Sequence, residues 1–299
     1  MGDWLEFVVH APRGREDDCG AALEAAGALS VTYEDDAGQP VLEPPPGETP
    51  LWTATRVVGL FPAGTDTAPL VRALTQHLGE TPPWETRALP DRDWTLAWAD
   101  HFRPMRFGDG LWVVPSGEAP PEEGTILRLD PGLAFGTGTH PTTALCLTWL
   151  DRHRDRLPGA RVIDYGCGSG ILAIAAALLG AQRVDAVDID PQALTATREN
   201  AAKNAVAERI EARLPDPPPA PGADLLLANI LAKPLLELRP LFARLVRPGG
   251  TVVLSGLLDH QADAVAAAYA TDFVIVHREI DADWACLELR RKGPGPELA

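Results

Sequence analysis

Near the middle of the chain, Val162-Ile163-Asp164-Tyr165-Gly166-Cys167-Gly168-Ser169-Gly170 joins a short apolar strand to an acid and three alternating glycines. The apolar run Ile171 to Leu179 follows at once. Glycine serves where backbone must take positive φ or lie against a ligand with no Cβ between. A glycine turn from strand to helix is how open α/β sheets hold a nucleotide-like cofactor at a helix N-terminus. Two cofactor classes compete for such a loop. Gly168-Ser169-Gly170-Ile171-Leu172-Ala173 fits the dinucleotide pattern G-x-G-x-x-A, and Asp188 follows at about the 20-residue spacing of a ribose-binding acid. Asp164, two residues before the first glycine, argues the other way. A carboxylate at that strand tip repels a pyrophosphate but attracts the sulfonium and α-ammonium of S-adenosylmethionine, which has no phosphate. The D-x-G-x-G-x-G pattern therefore points to a methyl donor.

Two further segments carry polar groups suited to that chemistry. Asp188 ends the strand Val184-Asp185-Ala186-Val187, where a carboxylate can accept two hydrogen bonds from ribose hydroxyls. Asp190 caps the helix opened by Pro191. Asn229 ends the strand Asp224 to Ala228, at the tip from which a methyl group leaves sulfur. Enzymes that methylate planar amides or adenine amines follow such an Asn with two prolines and an aromatic. Here Ile230-Leu231-Ala232 follows, an apolar wall suited to an aliphatic amine on a methylene stem. Upstream, Phe135-Gly136-Thr137-Gly138-Thr139-His140-Pro141-Thr142-Thr143 reads as a lid over the methionine end of the donor, with Thr139 as the N-cap of the next helix. It lacks the Gly-Lys-Ser/Thr of a P-loop. His140 is available as a base, but a lone histidine in a loop reads first as a structural hydrogen-bonder. G-x-S-x-G, H-E-x-x-H and paired Cys/His clusters are missing.

These residues need a scaffold. From Arg161 onward strands alternate with helical segments: Arg161–Asp164, Arg183–Asp188, Asp224–Ala228 and Thr251–Ser255. That pattern predicts a parallel, doubly wound α/β sheet. Phe273–Glu279 and Trp284–Leu289 read as a hairpin that closes it with an antiparallel strand, the methyltransferase variant of the Rossmann-like architecture. Gly110–Pro115 and Thr125–Leu129 are two more strands. The first 90 residues read β-α-β-β-α-β, a small α+β ferredoxin-like unit with no catalytic constellation, suited to binding a partner. Between them, in 91–107, Trp94, Trp98 and Phe102 fall on one helical stripe that Pro104 ends, an interdomain linker helix. The expected domains are thus 1–90, the linker 91–107, a donor-binding domain 108–292 and a frayed tail 293–299.

A chain of 299 residues, 45% of them hydrophobic, is globular and long enough for two domains. Its net charge of −16 argues against a bulk electrostatic grip on nucleic acid and suits a basic protein substrate. The four cysteines are scattered without a C-x-x-C pair, so neither a metal site nor a disulfide framework is expected, and a reducing compartment is. No secretory signal opens the chain, and the longest apolar run is far short of the ~18 residues of a membrane span. A soluble, cytoplasmic monomer without a membrane partner is the expectation.

The run Asp130 to Thr143, with Val162 to Leu172, Asp188 to Pro191 and Ala228 to Leu231, closely resembles the bacterial ribosomal protein L-eleven methyltransferases, the PrmA family. The glycine loop is common to many methyltransferases; the Phe-Gly-Thr-Gly-Thr-His-Pro-Thr-Thr run and Asn-Ile-Leu are far more specific. The resemblance implies S-adenosylmethionine as cofactor, with Thr143, Gly166, Asp188 and Asn229 contacting it and Gly168 beside it. It implies methylation of lysine ε-amines and the N-terminal α-amine of the large-subunit ribosomal protein L-eleven, which the N-terminal domain recognises and the linker lets the enzyme address at different amines.

Overall fold

Every strand and helix below lies within residues 4–38, 52–90, 103–130 and 138–293, which the computed structural model describes. The chain divides into two units, Met1–Ala97 and Trp98–Ala299. In the first, strands β1 (Trp4–Ala11), β2 (Ser30–Asp35), β3 (Thr55–Pro62) and β4 (Trp84–Leu89) lie in the order β2-β3-β1-β4, every pair antiparallel. Helices α1 (Glu16–Ala25) and α2 (Thr67–Leu78) connect them. Strand alternation sends Phe7, Val9, Val57 and Phe61 to one face, where they pack with Leu23, Leu70 and Leu74. Asp66 caps α2 through the Ala68 N–H, and Gly79 ends it in the left-handed conformation at φ 79°.

The second unit opens with a small sheet of β5 (Met105–Phe107), β6 (Leu111–Val114) and β7 (Thr125–Arg128) in that order. The chain leaves Pro104, where the linker helix was expected to end, directly into a strand. Pro104 cannot continue a helix, and the next three residues pair with β6, Phe107 entering the core. The aromatic stripe of the linker, and the lid residues 131–137, lie outside the described residues, as does the tail from 294.

Then follow α3 (Pro141–Arg152), β8 (Arg161–Tyr165), α4 (Ile171–Leu178), β9 (Arg183–Val187), α5 (Pro191–Lys203), β10 (Ile210–Arg213), β11 (Ala223–Asn229), α6 (Ala232–Leu245), β12 (Val246–Leu258), α7 (Asp259–Tyr269), β13 (Phe273–Asp281) and β14 (Trp284–Arg291). The seven strands are ordered β10-β9-β8-β11-β12-β14-β13. The chain steps outward from β8 to β10 and then returns to β11 on the other side, so β8 and β11 flank the switch point where open α/β sheets bind ligands. Pairing is parallel from β10 to β12, and β14 enters antiparallel between β12 and β13.

Both faces of the sheet are covered, which is why its strands read as continuous apolar runs. Val162, Leu225, Leu227 and Val253 point into one core; Ile163, Leu226, Val252 and Leu254 point into the other. Helix α4 is buried from Ile171 to Ala177, so its alanines and isoleucines carry no polar stripe.

Candidate active site

The glycine loop is built by conformation and close approach together. Gly166, Gly168 and Gly170 have φ of 83°, 54° and 80°, all in the region that side chains avoid. A Cβ on Gly166 would stand 2.2 Å from Ile230 Cγ2, and one on Gly170 would stand 2.8 Å from Thr197 Cγ2. The loop is tied to the end of β9: the Gly166 and Cys167 N–H groups donate to Val187 O at 2.7 and 3.0 Å. Helix α5 holds its far side. Thr197 Oγ1 donates to Gly168 O at 3.1 Å, and Asn200 Nδ2 donates to Ser169 O at 2.9 Å. Sequence reasoning missed both residues; their spacing of three on one helix face is the signal that was available.

Asp164 is 1% exposed. Gly170 begins α4 but has no side chain to cap it, so Asp164 does so from the strand, its Oδ2 accepting the Ala173 N–H at 3.0 Å. Its other oxygen, Oδ1, is buried with no hydrogen-bond partner among the described residues. Burial pushes the carboxyl up to about 7; the Ala173 N–H opposes this and the negative charge of Asp188 adds to it. Asp188, half-buried just past β9, accepts the Gly168 N–H at 2.9 Å and the Asp190 N–H at 3.0 Å, one on each oxygen. Asp190 caps α5 through the Gln192 N–H at 2.8 Å, as expected.

Register brings Asn229 beside the loop. Leu227 pairs with Asp164, so Gly166 and Asn229 each stand two residues beyond the same rung. Asn229 Nδ2 donates to Oγ1 of the fully buried Thr143 at 3.2 Å, joining the tip of β11 to the first turn of α3. The N-cap of α3 is His140, not Thr139: Pro141 takes the first helical position and confines the residue before it to extended backbone. His140 Nδ1 lies 2.8 Å from Thr142 Oγ1, and its ring meets Trp284 edge-on at 4.8 Å. Burial lowers its pKa. Its described contacts fit the structural reading over that of a base. Ser255, also missed, is 0% exposed and donates to Thr142 O at 3.1 Å, pinning the same turn to β12.

All five residues expected to hold the donor therefore meet at the carboxyl edge of β8, β9 and β11, Thr143 through its bond to Asn229. An orphaned buried carboxylate oxygen, a cradle without Cβ atoms and a second carboxylate at a strand tip fit a ligand with a cationic group and a diol. Among the described residues no cluster of His, Cys, Asp or Glu could hold a metal.

The sheet order, the antiparallel β14 and the glycine loop at the switch point define a Rossmann-like fold of the class I methyltransferases. The family model described as ribosomal protein L11 methyltransferase (PrmA) matches residues 3–292, and the chain belongs to that family. It is 55% identical over 270 residues to the ribosomal protein L11 methyltransferase of Methylococcus capsulatus, covering 89% of this chain and 92% of that protein. With the protein of the same name from Hahella chejuensis it shares 50% over 294 residues, covering 96% and 98%. A crystal structure of a ribosomal protein L11 methylase from Lactobacillus delbrueckii subsp. bulgaricus aligns at 35% identity and a TM-score of 0.58, over 64% of this chain and 100% of that one.

Proposed function

We propose that this chain transfers methyl groups from S-adenosyl-L-methionine to lysine ε-amines and the N-terminal α-amine of ribosomal protein L11, giving N-trimethylated residues. Family membership supports the reaction and the substrate protein. The buried oxygen of Asp164 that has no partner among the described residues, on the carboxyl edge that carries Asp188 and the Asn229–Thr143 pair, is the observation that supports a cationic donor over a phosphate-bearing one. When bound, the donor supplies an electrophilic methyl on a sulfonium. Asp188 would hold its ribose hydroxyls and Asp164 would face its ammonium, while Gly166 and Gly168 allow close approach.

The remaining work falls to this chain's own residues. Asn229 has its amide N–H committed to Thr143, which leaves its carbonyl oxygen to accept an N–H from the incoming amine. Free lysine has a pKa of ~10.4, and an apolar rim lowers it by disfavouring the charged form. Ile230 covers Gly166, and Leu231, 53% exposed, offers apolar surface to a methylene stem. None of the described residues at the site has to act as a base, so the amine loses its proton to water before attack, and orientation supplies most of the acceleration.

The N-terminal unit (1–90) is assigned to substrate recognition and residues 108–292 to transfer, in a cytoplasmic monomer. Among the described residues no helix is long and apolar enough to cross a membrane. Labelled donor incubated with ribosomal proteins from a strain lacking the enzyme should mark one protein, at lysines and its N-terminus by mass spectrometry. Label appearing in RNA instead would overturn the assignment. Loss of activity in a pH–rate profile at a group near pH 6, abolished by His140→Ala, would restore a catalytic base.

A further inference from the structure

The amino-terminal edge of the large sheet, opposite the donor site, carries a cavity of about 350 Å³. It opens beneath the end of α3, between the starts of β8 and β11 and the paired β12 and β14. Arg156, Arg247 and Arg290 line it, with Asp224 and Thr251. We propose that this cavity binds a small multivalent oxyanion of the phosphate class.

Two of the arginines are held in place by carboxylates. Arg156 Nη1 donates at 3.0 Å to Glu288, a carboxylate 4% exposed that also accepts the Trp149 indole N–H at 2.9 Å. Arg247 Nε donates at 2.6 Å to Asp224, whose other oxygen accepts the Arg161 N–H at 2.8 Å. Each guanidinium has five donors in a planar fork; Arg156 is anchored through Nη1 alone, while Arg247 also gives its Nη1 to Pro248 O at 3.1 Å and keeps Nη2 for an acceptor. The Arg290 guanidinium has no hydrogen-bond or ion-pair partner among the described residues. It stands directly across from Thr251 in the β12–β14 ladder, which places the Thr251 hydroxyl on the same face as the free guanidinium.

Glu288 offsets Arg156 and Asp224 offsets Arg247, which leaves Arg290 as the uncompensated cation among the described lining residues, in a chain whose net charge is −16. Asp224 is already satisfied by Arg161 and Arg247. Burial alone would raise its carboxyl; these two hold it below the usual range, so it stays ionised and keeps Arg247 anchored. A planar carboxylate could pair with one fork, whereas three guanidinium groups lining one cavity suit the several oxygens of a phosphate or pyrophosphate. The volume admits a small anion. The site is separate from the methyl-transfer reading and does not depend on it.

Inorganic pyrophosphate and phosphate, titrated calorimetrically into the full chain at low salt, test this directly. One-site binding with a Kd below about 1 mM is expected, weaker by about tenfold in Arg290→Gln. Thr251→Val should weaken it less, and S-adenosylmethionine should not compete. Arg183→Gln, on β9 and outside the cavity, should leave it unchanged. Circular dichroism of Arg290→Gln, a substitution at an exposed position, checks that the variant folds. No binding up to about 10 mM, equal binding by Arg290→Gln, equal loss in Arg183→Gln, or displacement by S-adenosylmethionine would each overturn the proposal. So would a preference for single-stranded oligonucleotide over pyrophosphate, which would make the partner a nucleic acid.

Discussion

Gly166→Ala separates the two physical demands placed on the loop. The new Cβ would lie 2.2 Å from Ile230 Cγ2, well inside contact distance, on a residue at φ 83°. The left-handed conformation costs a residue with a Cβ about 1–2 kcal/mol. Forcing Ile230 aside adds about 1–3 kcal/mol of overpacking. The sum, about 2–5 kcal/mol, should lower the melting midpoint of the second unit by roughly 5–15 °C without abolishing folding. Ile230 follows Asn229 directly, so its displacement also moves the amide; a shift of about 1 Å there should cost roughly 100-fold in kcat. Denaturation of Gly166→Ala, Ile230→Ala and the double variant closes a cycle. Removing the Ile230 methyls relieves the overpacking but not the φ strain, so a favourable coupling of about 1–3 kcal/mol is expected. A wild-type midpoint for Gly166→Ala, or a coupling of zero, would refute this account of the loop.

Asp188→Ala should weaken donor binding by about 100-fold or more, since two hydrogen bonds to a charged acceptor are lost at about 1.5–3 kcal/mol each; unchanged affinity by calorimetry would remove Asp188 from the site. For Asp164, the folded carboxyl is raised to about 7 from its ordinary 3.8, so the folded state holds a proton that the unfolded state releases. Free-protein stability should fall as pH climbs from about 4 to about 7 and level off above that, while donor affinity rises through the same window as the carboxylate forms. Asp164→Asn should flatten both dependences, and an unaltered donor profile would exclude an ammonium partner. Glu288 behaves oppositely. Burial would raise its carboxyl, but the Trp149 N–H and Arg156 override it and hold it below the usual range. Glu288→Ala should cost about 2–4 kcal/mol near neutrality, in urea melts, because the buried indole N–H loses its acceptor. That deficit should shrink as pH drops through the carboxylate range, where the wild-type contribution is itself lost.

Much of this chain was legible before folding because its signals are local. Three alternating glycines after an apolar strand can serve few conformations, and all three adopt positive φ. Asp190 before Pro191 announced a cap, and strands β8, β9, β11 and β12 followed from alternating apolar runs. Where the local signal was ambiguous, the reading slipped. Thr139 and His140 are both able to cap, and only the restriction imposed by Pro141 selects the second. The short edge strand β10 and the strand β5 carry too few residues to announce a period; each is made by its ladder partner, β9 and β6.

What tertiary structure alone decided is the set of contacts between residues distant in sequence, where many partners are equally compatible with the local pattern. Thr143 and Asn229 each looked polar and suitable, but the bond between them spans 86 positions and exists because β11 pairs with β8 in one register. Asp164 reads from sequence as a donor-facing acid. Packing divides its carboxylate, one oxygen capping α4 and the other buried without a partner among the described residues, because the glycine that starts that helix has no side chain to do the capping. The arginine cavity is legible nowhere in the sequence: its cations come from a loop after α3, the start of β12 and the end of β14, which meet only once β14 has inserted antiparallel between β12 and β13. Backbone sterics and apolar periodicity act between neighbours and so are written in the sequence. Hydrogen bonds and charges find their partners only after the chain has brought distant segments within a few ångströms.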